Sequence, residues 1–118
     1  AIEISGSMAE AGPYMARKDI SEEADEAYFL PNAREFRKMI DVPLILVGGV
    51  RSPGLMEKLL SEGEADMMSM SRPFIREPDL VNRWKTGTRR KADCISCNGC
   101  FKYRNEPVRC ILLDKDRK

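Results

Sequence analysis

The chain has 118 residues, 42% of them hydrophobic, which suits one small globular domain. Its 20 basic and 19 acidic side chains leave a net charge of +1, so nothing in bulk charge draws it to nucleic acid or to an anionic membrane. No apolar run approaches the roughly 20 residues of a membrane span, nothing at the start resembles a signal peptide, and the absence of histidine rules out an imidazole base or ligand within the chain.

Residues 1–5 (AIEIS) alternate in polarity and run into Gly6–Ser7, the pattern of a strand entering a loop. Because the chain opens inside this strand and without methionine, it is expected to be a piece of a longer protein. Residues 8–25 are polar and irregular, with Gly12–Pro13 and the basic pair Arg17–Lys18, and read as a long loop with some helix near its end. Residues 28–40 place Phe29, Ala33, Phe36, Met39 and Ile40 at helical spacing. Residues 44–47 form a continuous apolar run, expected of a strand buried on both faces and stopped by Gly48–Gly49. Ser52–Pro53 then opens a helix, with serine at the cap and proline in the first turn. Leu55, Met56, Leu59 and Leu60 line one side of it, and it ends near Gly63.

Residues 65–70 are the next strand, and Ser71-Arg72-Pro73 is its loop. Residues 77–84 read as a short helix closed by Gly87, residues 85–91 as a basic connector, and residues 113–118 as a charged, fraying tail. Strands alternating with helices imply a parallel sheet. A closed barrel needs roughly 200–250 residues, so the fold class expected is α/β: the C-terminal portion of a TIM (β/α)8 barrel, about its last three βα units. These would occupy residues 1–91, with a Cys-rich C-terminal appendix over residues 92–118.

Two strand ends carry the first candidate site. Backbone N–H groups at Gly48, Gly49, Val50 and Ser71, with Arg51 and Arg72 nearby, make a pocket suited to a phosphate. Glycine admits close approach of the backbone, and an arginine can pair with the anion through two bonds. A tight turn and a surface arginine would explain each half alone. The repetition one βα unit later, where the last loops of such barrels often hold phosphate, favours the anion.

Cys94, Cys97, Cys100 and Cys110 form the second, spaced C-x2-C-x2-C-x9-C. Without a secretory signal they point away from disulfides and toward a 4Fe-4S cluster, a structural zinc, or a segment of free thiols. Arg17, Lys18 and Tyr14 are candidates for contacts from an active-site lid, or else ordinary loop residues. Trp84 reads as a packing anchor, and Met67, Met68 and Met70 as parts of a buried strand.

The strings PLILVGGVRSP and EKLLSEGEADMMSMSRPFIREPDLVNRW resemble the C-terminal part of old yellow enzyme-type NADH:flavin oxidoreductases. The similarity is nearest to the 2,4-dienoyl-CoA reductase and trimethylamine dehydrogenase branch, and it runs from residue 2 to about residue 100. It implies an FMN cofactor, reduction of that flavin by NAD(P)H and an activated alkene or similar acceptor, while the chain itself, with no signal segment, reads as cytoplasmic. Gly48 and Gly49 would lie where the seventh strand meets the FMN phosphate. Ser71 and Arg72 would follow the eighth strand, where the family has Gly-Arg or Ala-Arg, and Ser5–Gly6 would end the sixth. That branch carries an iron–sulfur segment with C-x2-C-x3-C and a longer final gap, so this chain departs from it in both spacings. The family's flavin-ring contacts and proton donor lie on earlier strands, so no catalytic residue is assigned here. A second copy, or another barrel segment, is the partner expected. The rival from another class is a non-catalytic metal-binding or oligomerisation module.

Overall fold

Short runs of isoleucine, leucine and methionine set three strands side by side. The computed structural model describes residues 1–6, 8, 10, 16–102 and 106–115. In it β1 (Ile2–Ile4), β2 (Leu44–Leu46) and β3 (Met67–Met68) form one sheet in the order β1-β2-β3. Both pairings are parallel, with Ile4 opposite Leu46 and Leu46 opposite Met68. Helix α1 (Leu30–Arg37) links β1 to β2, and α2 (Pro53–Ser61) links β2 to β3. Helices α3 (Arg72–Arg76), α4 (Leu80–Lys85) and α5 (Ile111–Lys115) follow, with single 3-10 turns at Glu23–Asp25 and Gly99–Lys102. None of the helices is long and apolar enough to cross a membrane, among the described residues.

The core lies between the sheet and its helices. Leu44 and Leu46, on one face of β2, are fully buried with Ile4, Ala33 of α1 and Leu59 of α2. Ile45, on the other face, is half-buried, so β2 is covered on one side rather than on both as its apolar run suggested. Met67 is exposed, against the expectation of a buried strand.

Other elements also differ from the sequence reading. Each strand is shorter than its apolar run, although Asp66 and Ser69 extend the bonding beside β3 by donating to Leu44 O and Leu46 O at 2.9 Å each. On α1, Ala33 is buried, but Phe36 and Met39 are exposed. At about 100° per residue Met39 lies a third of a turn round from Ala33. Pro73 opens α3 from its first turn instead of marking a loop, because proline's fixed φ suits that position. The expected charged tail over residues 113–118 begins inside α5, which runs over Ile111–Lys115.

Asp66 locks β2 to the start of β3. Its Oδ2 accepts from Leu44 N–H at 2.7 Å and from Arg37 Nη2 at 2.8 Å. The Leu44 N–H, and then the Arg37 guanidinium, hold this carboxyl below its ordinary 3.8. A depressed folded-state value means that the stabilisation is present above the unfolded-state value and lost as pH falls through the folded one. Melting temperature is therefore expected to drop on acidification below about pH 4, and Asp66→Asn to flatten that part of the profile. Thermal unfolding followed by circular dichroism checks this; an identical acid limb in the variant would remove Asp66 from the account.

Candidate functional site: an anion cavity beside a thiol cluster

The loop between β2 and α2 turns on two glycines in a backbone region that other residues adopt only with strain. Gly48 (φ 131°) and Gly49 (φ 73°) both lie in the region that favours glycine. A Cβ on Gly49 would sit 3.0 Å from Tyr28 Cε1, and one on Gly48 would sit 3.1 Å from Phe29 Cδ2. Tyr28 N–H donates to Gly48 O at 3.1 Å, so residues 28–29 back the turn.

Glu26, which the sequence reading did not single out, holds the other end of this loop. Its buried carboxylate accepts from Arg51 N–H at 2.8 Å, Ser52 N–H at 3.0 Å and Ser52 Oγ at 2.6 Å. It thus occupies the amino end of α2, and any anion must bind to the preceding turn instead. Glu26→Ala would leave three buried donors without their acceptor. Unsatisfied buried groups cost about 1–3 kcal/mol each, so a clear fall in the urea midpoint is expected, and an unchanged midpoint would refute this role. Nothing in a polar stretch containing five other acids marks Glu26 in advance.

Two arginines complete the loops. Arg51 (4% exposed) and Arg72 (9% exposed) are buried. Arg51 donates from Nη1 to Cys94 O and from Nη2 to Ser96 Oγ at 3.3 Å. Arg72 donates from Nη1 to Arg17 O at 2.8 Å, to Asn98 Oδ1, and to Ser96 O at the outer limit of 3.5 Å. Among the described residues neither guanidinium forms an ion pair with a carboxylate. Two buried positive charges with only neutral acceptors are costly unless an anion joins them.

A cavity of about 260 Å³ opens at these strand ends, lined by Gly49, Val50, Arg51, Ser71 and Arg72 among others. The N–H groups of Gly49, Val50 and Ser71 donate no hydrogen bond among the described residues. Of the residues that the sequence put forward for an anion, Gly49, Val50, Ser71 and Arg72 line this one cavity. Gly48 lies behind it, its carbonyl taken by Tyr28. Ser5, at the end of β1, also lines it.

The four cysteines come together behind the anion cavity. Cys94, Cys97, Cys100 and Cys110 are half-buried free thiols lining a second cavity of about 20 Å³. Arg72 and Cys94 line both cavities, so they form the partition between them. Burial pushes the Cys100 thiol up, and the neighbouring Cys94 and Cys97 add to this while the Arg72 guanidinium opposes it. The thiols are not drawn up as ligands: among the described residues no group of three or more Cys, Asp or Glu is arranged to hold a metal ion.

Arg17 is exposed, with its guanidinium 4.6 Å over the Tyr28 ring, and Lys18 beside it is exposed too. Tyr14 lies outside the described residues. Trp84 is half-buried and donates from Nε1 to Arg90 O at 2.9 Å, an anchor for the basic connector.

Comparison with known proteins gives this arrangement relatives. Residues 7–91 match the profile of the NADH:flavin oxidoreductase / NADH oxidase family. A 4,4'-dithiodibutanoate disulfide reductase of Rhodococcus erythropolis is 37% identical over 90 residues, 76% of this chain and 22% of that protein. An NADH oxidase of Thermoanaerobacter brockii is 31% identical over 116 residues, 94% of this chain and 17% of that protein. A metal reductase of Desulforamulus reducens is 32% identical over 80 residues, 64% of this chain and 12% of that protein. The chain thus spans about a fifth, or less, of the length of these relatives.

Proposed function

This chain belongs to the NADH:flavin oxidoreductase / NADH oxidase family, and on that premise we propose that its glycine turn and buried arginines hold the phosphate of FMN. The observation that carries this reading is the pair of buried guanidiniums that have no carboxylate partner among the described residues, set at one cavity with three backbone N–H groups that donate no bond among those residues. Gly49, Val50 and Ser71 would donate from the backbone, Arg51 and Arg72 would supply charge, and Gly48 would shape the turn. A dianionic phosphate matches two positive charges, and charge-assisted bonds to buried guanidiniums are stronger than neutral ones.

Bound FMN supplies hydride chemistry between a reduced nicotinamide, NAD(P)H, and an acceptor, which on this reading is an activated alkene. The chain's own part is to fix the cofactor's phosphate end. Its three βα units would form the last part of a TIM barrel. β1 and β3 each have one neighbour in the sheet among the described residues, leaving an open edge for further barrel strands or a second copy. Titrating the purified full protein with FMN and following quenching of flavin fluorescence tests the reading. Saturable one-to-one binding is expected, and no binding would overturn it.

For the thiols the reading is a 4Fe-4S site formed by Cys94, Cys97, Cys100 and Cys110, which would give the flavin a one-electron neighbour. Its support is that all four line one cavity that shares a partition with the anion site. A second reading, a single zinc ion on four thiolates, is favoured by the cavity's size: about 20 Å³ suits one ion or one water better than a four-iron cube. Anaerobic purification with iron, sulfide and zinc analysis separates the two. Matched iron and sulfide supports the cluster, zinc alone the ion, and neither metal excludes both.

A further inference from the structure

Of the three acceptors that orient Arg72, Ser96 O and Asn98 Oδ1 come from the cysteine-rich segment and Arg17 O from the loop after β1. All hydrogen bonds of Arg72 to described residues leave from Nη1, and the short one goes to Asn98 Oδ1. Asn98 is itself held in place, because its Nδ2 donates to Ala16 O at 2.8 Å. Its amide therefore bridges the loop after β1 to the guanidinium. Asn98 has φ 58° and Ser96 has φ 55°, a left-handed pair around Cys97 that turns successive polar groups toward the two arginines. Asparagine tolerates that backbone better than most residues. With Nη1 so engaged, the Nη2 and Nε edge of Arg72 donates no bond among the described residues and is left for an anion in the cavity that Arg72 lines.

We infer that Asn98 is a positioning residue for the flavin phosphate, its side-chain amide aiming the Arg72 guanidinium at the cavity, so that the cysteine-rich segment works in cofactor binding whether or not its thiols hold metal. This rests on the phosphate reading given above. The sequence divides the chain into a barrel piece and a separate cysteine appendix, whereas the hydrogen bonds of Arg51 and Arg72 join the two into one site.

The test is Asn98→Gly, which removes the amide and keeps a residue at ease in the left-handed region. The full protein, parent and variant, is titrated with FMN and with riboflavin, which lacks the phosphate. The parent should prefer FMN. In the variant FMN affinity should fall about tenfold, the effect of one hydrogen bond to a charged group, while riboflavin affinity changes by less than about twofold. An unchanged FMN-to-riboflavin ratio would overturn the inference. So would a parallel fall in both, which would show Asn98 supporting the fold and not the guanidinium. If the parent itself binds the two flavins equally, the phosphate reading fails first and takes the inference with it.

Discussion

Arg72→Ala should weaken FMN binding by about 10–100-fold while leaving riboflavin binding nearly unchanged. A hydrogen bond to a charged group contributes about 1.5–3 kcal/mol, and each 1.4 kcal/mol is tenfold in affinity. Arg72 is 9% exposed and its guanidinium meets no carboxylate among the described residues, so little else among those residues competes for its charge. Arg72→Lys should not restore the parent affinity. A lysine ammonium cannot bond Asn98 and Arg17 O with one nitrogen while presenting a second edge to an anion. Calorimetric titration of the full protein with both flavins reads the effect, and an FMN affinity equal to the parent's would remove Arg72 from the phosphate site.

On the metal-site reading proposed above, Cys97→Ser should abolish metal binding at the thiols. Cys97 stands between the two left-handed residues Ser96 and Asn98, and it lines the small cavity together with the other three cysteines. Serine keeps the shape but offers an alcohol that does not ionise as a thiol does, so a four-thiolate site loses one ligand. Metal analysis after anaerobic purification should find the iron and sulfide, or the zinc, of the parent gone. Retention of the full metal content would show that Cys97 is not a ligand. FMN binding should survive this change, because Arg51 and Arg72 are held by the carbonyls of Cys94 and Ser96, the Ser96 hydroxyl and the Asn98 amide, not by a sulfur.

The alternation of strand and helix could be read from local pattern alone. PLILV is a continuous apolar run, and Ser52–Pro53 begins α2 where such a pair is expected. Element lengths could not, because an apolar run continues past the last ladder bond, as at Val47 and Met70. The short helix α3 has no signal of its own, because a proline after a strand suits a loop as well as a first helical turn.

The candidate site divides along the same line. Gly48, Gly49 and Arg72 announce themselves by residue type at two strand ends. What surrounds them does not. Glu26 reaches Arg51 across 25 positions, and Arg72 reaches Asn98 across 26 and Arg17 O across 55. Three acceptors of the two arginines, Arg17 O, Cys94 O and Ser96 O, are backbone carbonyls, which every residue owns, so no side chain in the sequence signals them. The joining of cysteine segment and anion cavity is for that reason a property of the folded chain only.

The most direct test of the phosphate assignment is the phosphorus NMR resonance of FMN bound to the full protein, followed from about pH 5 to pH 8. A free phosphate monoester titrates with a second pKa of about 6. Beside two buried guanidiniums the dianion is favoured, its pKa falls, and the resonance should stay at its dianion position across the range. A bound FMN whose phosphorus titrates as it does in free solution would place the phosphate in water, away from Arg51 and Arg72, and contradict the account.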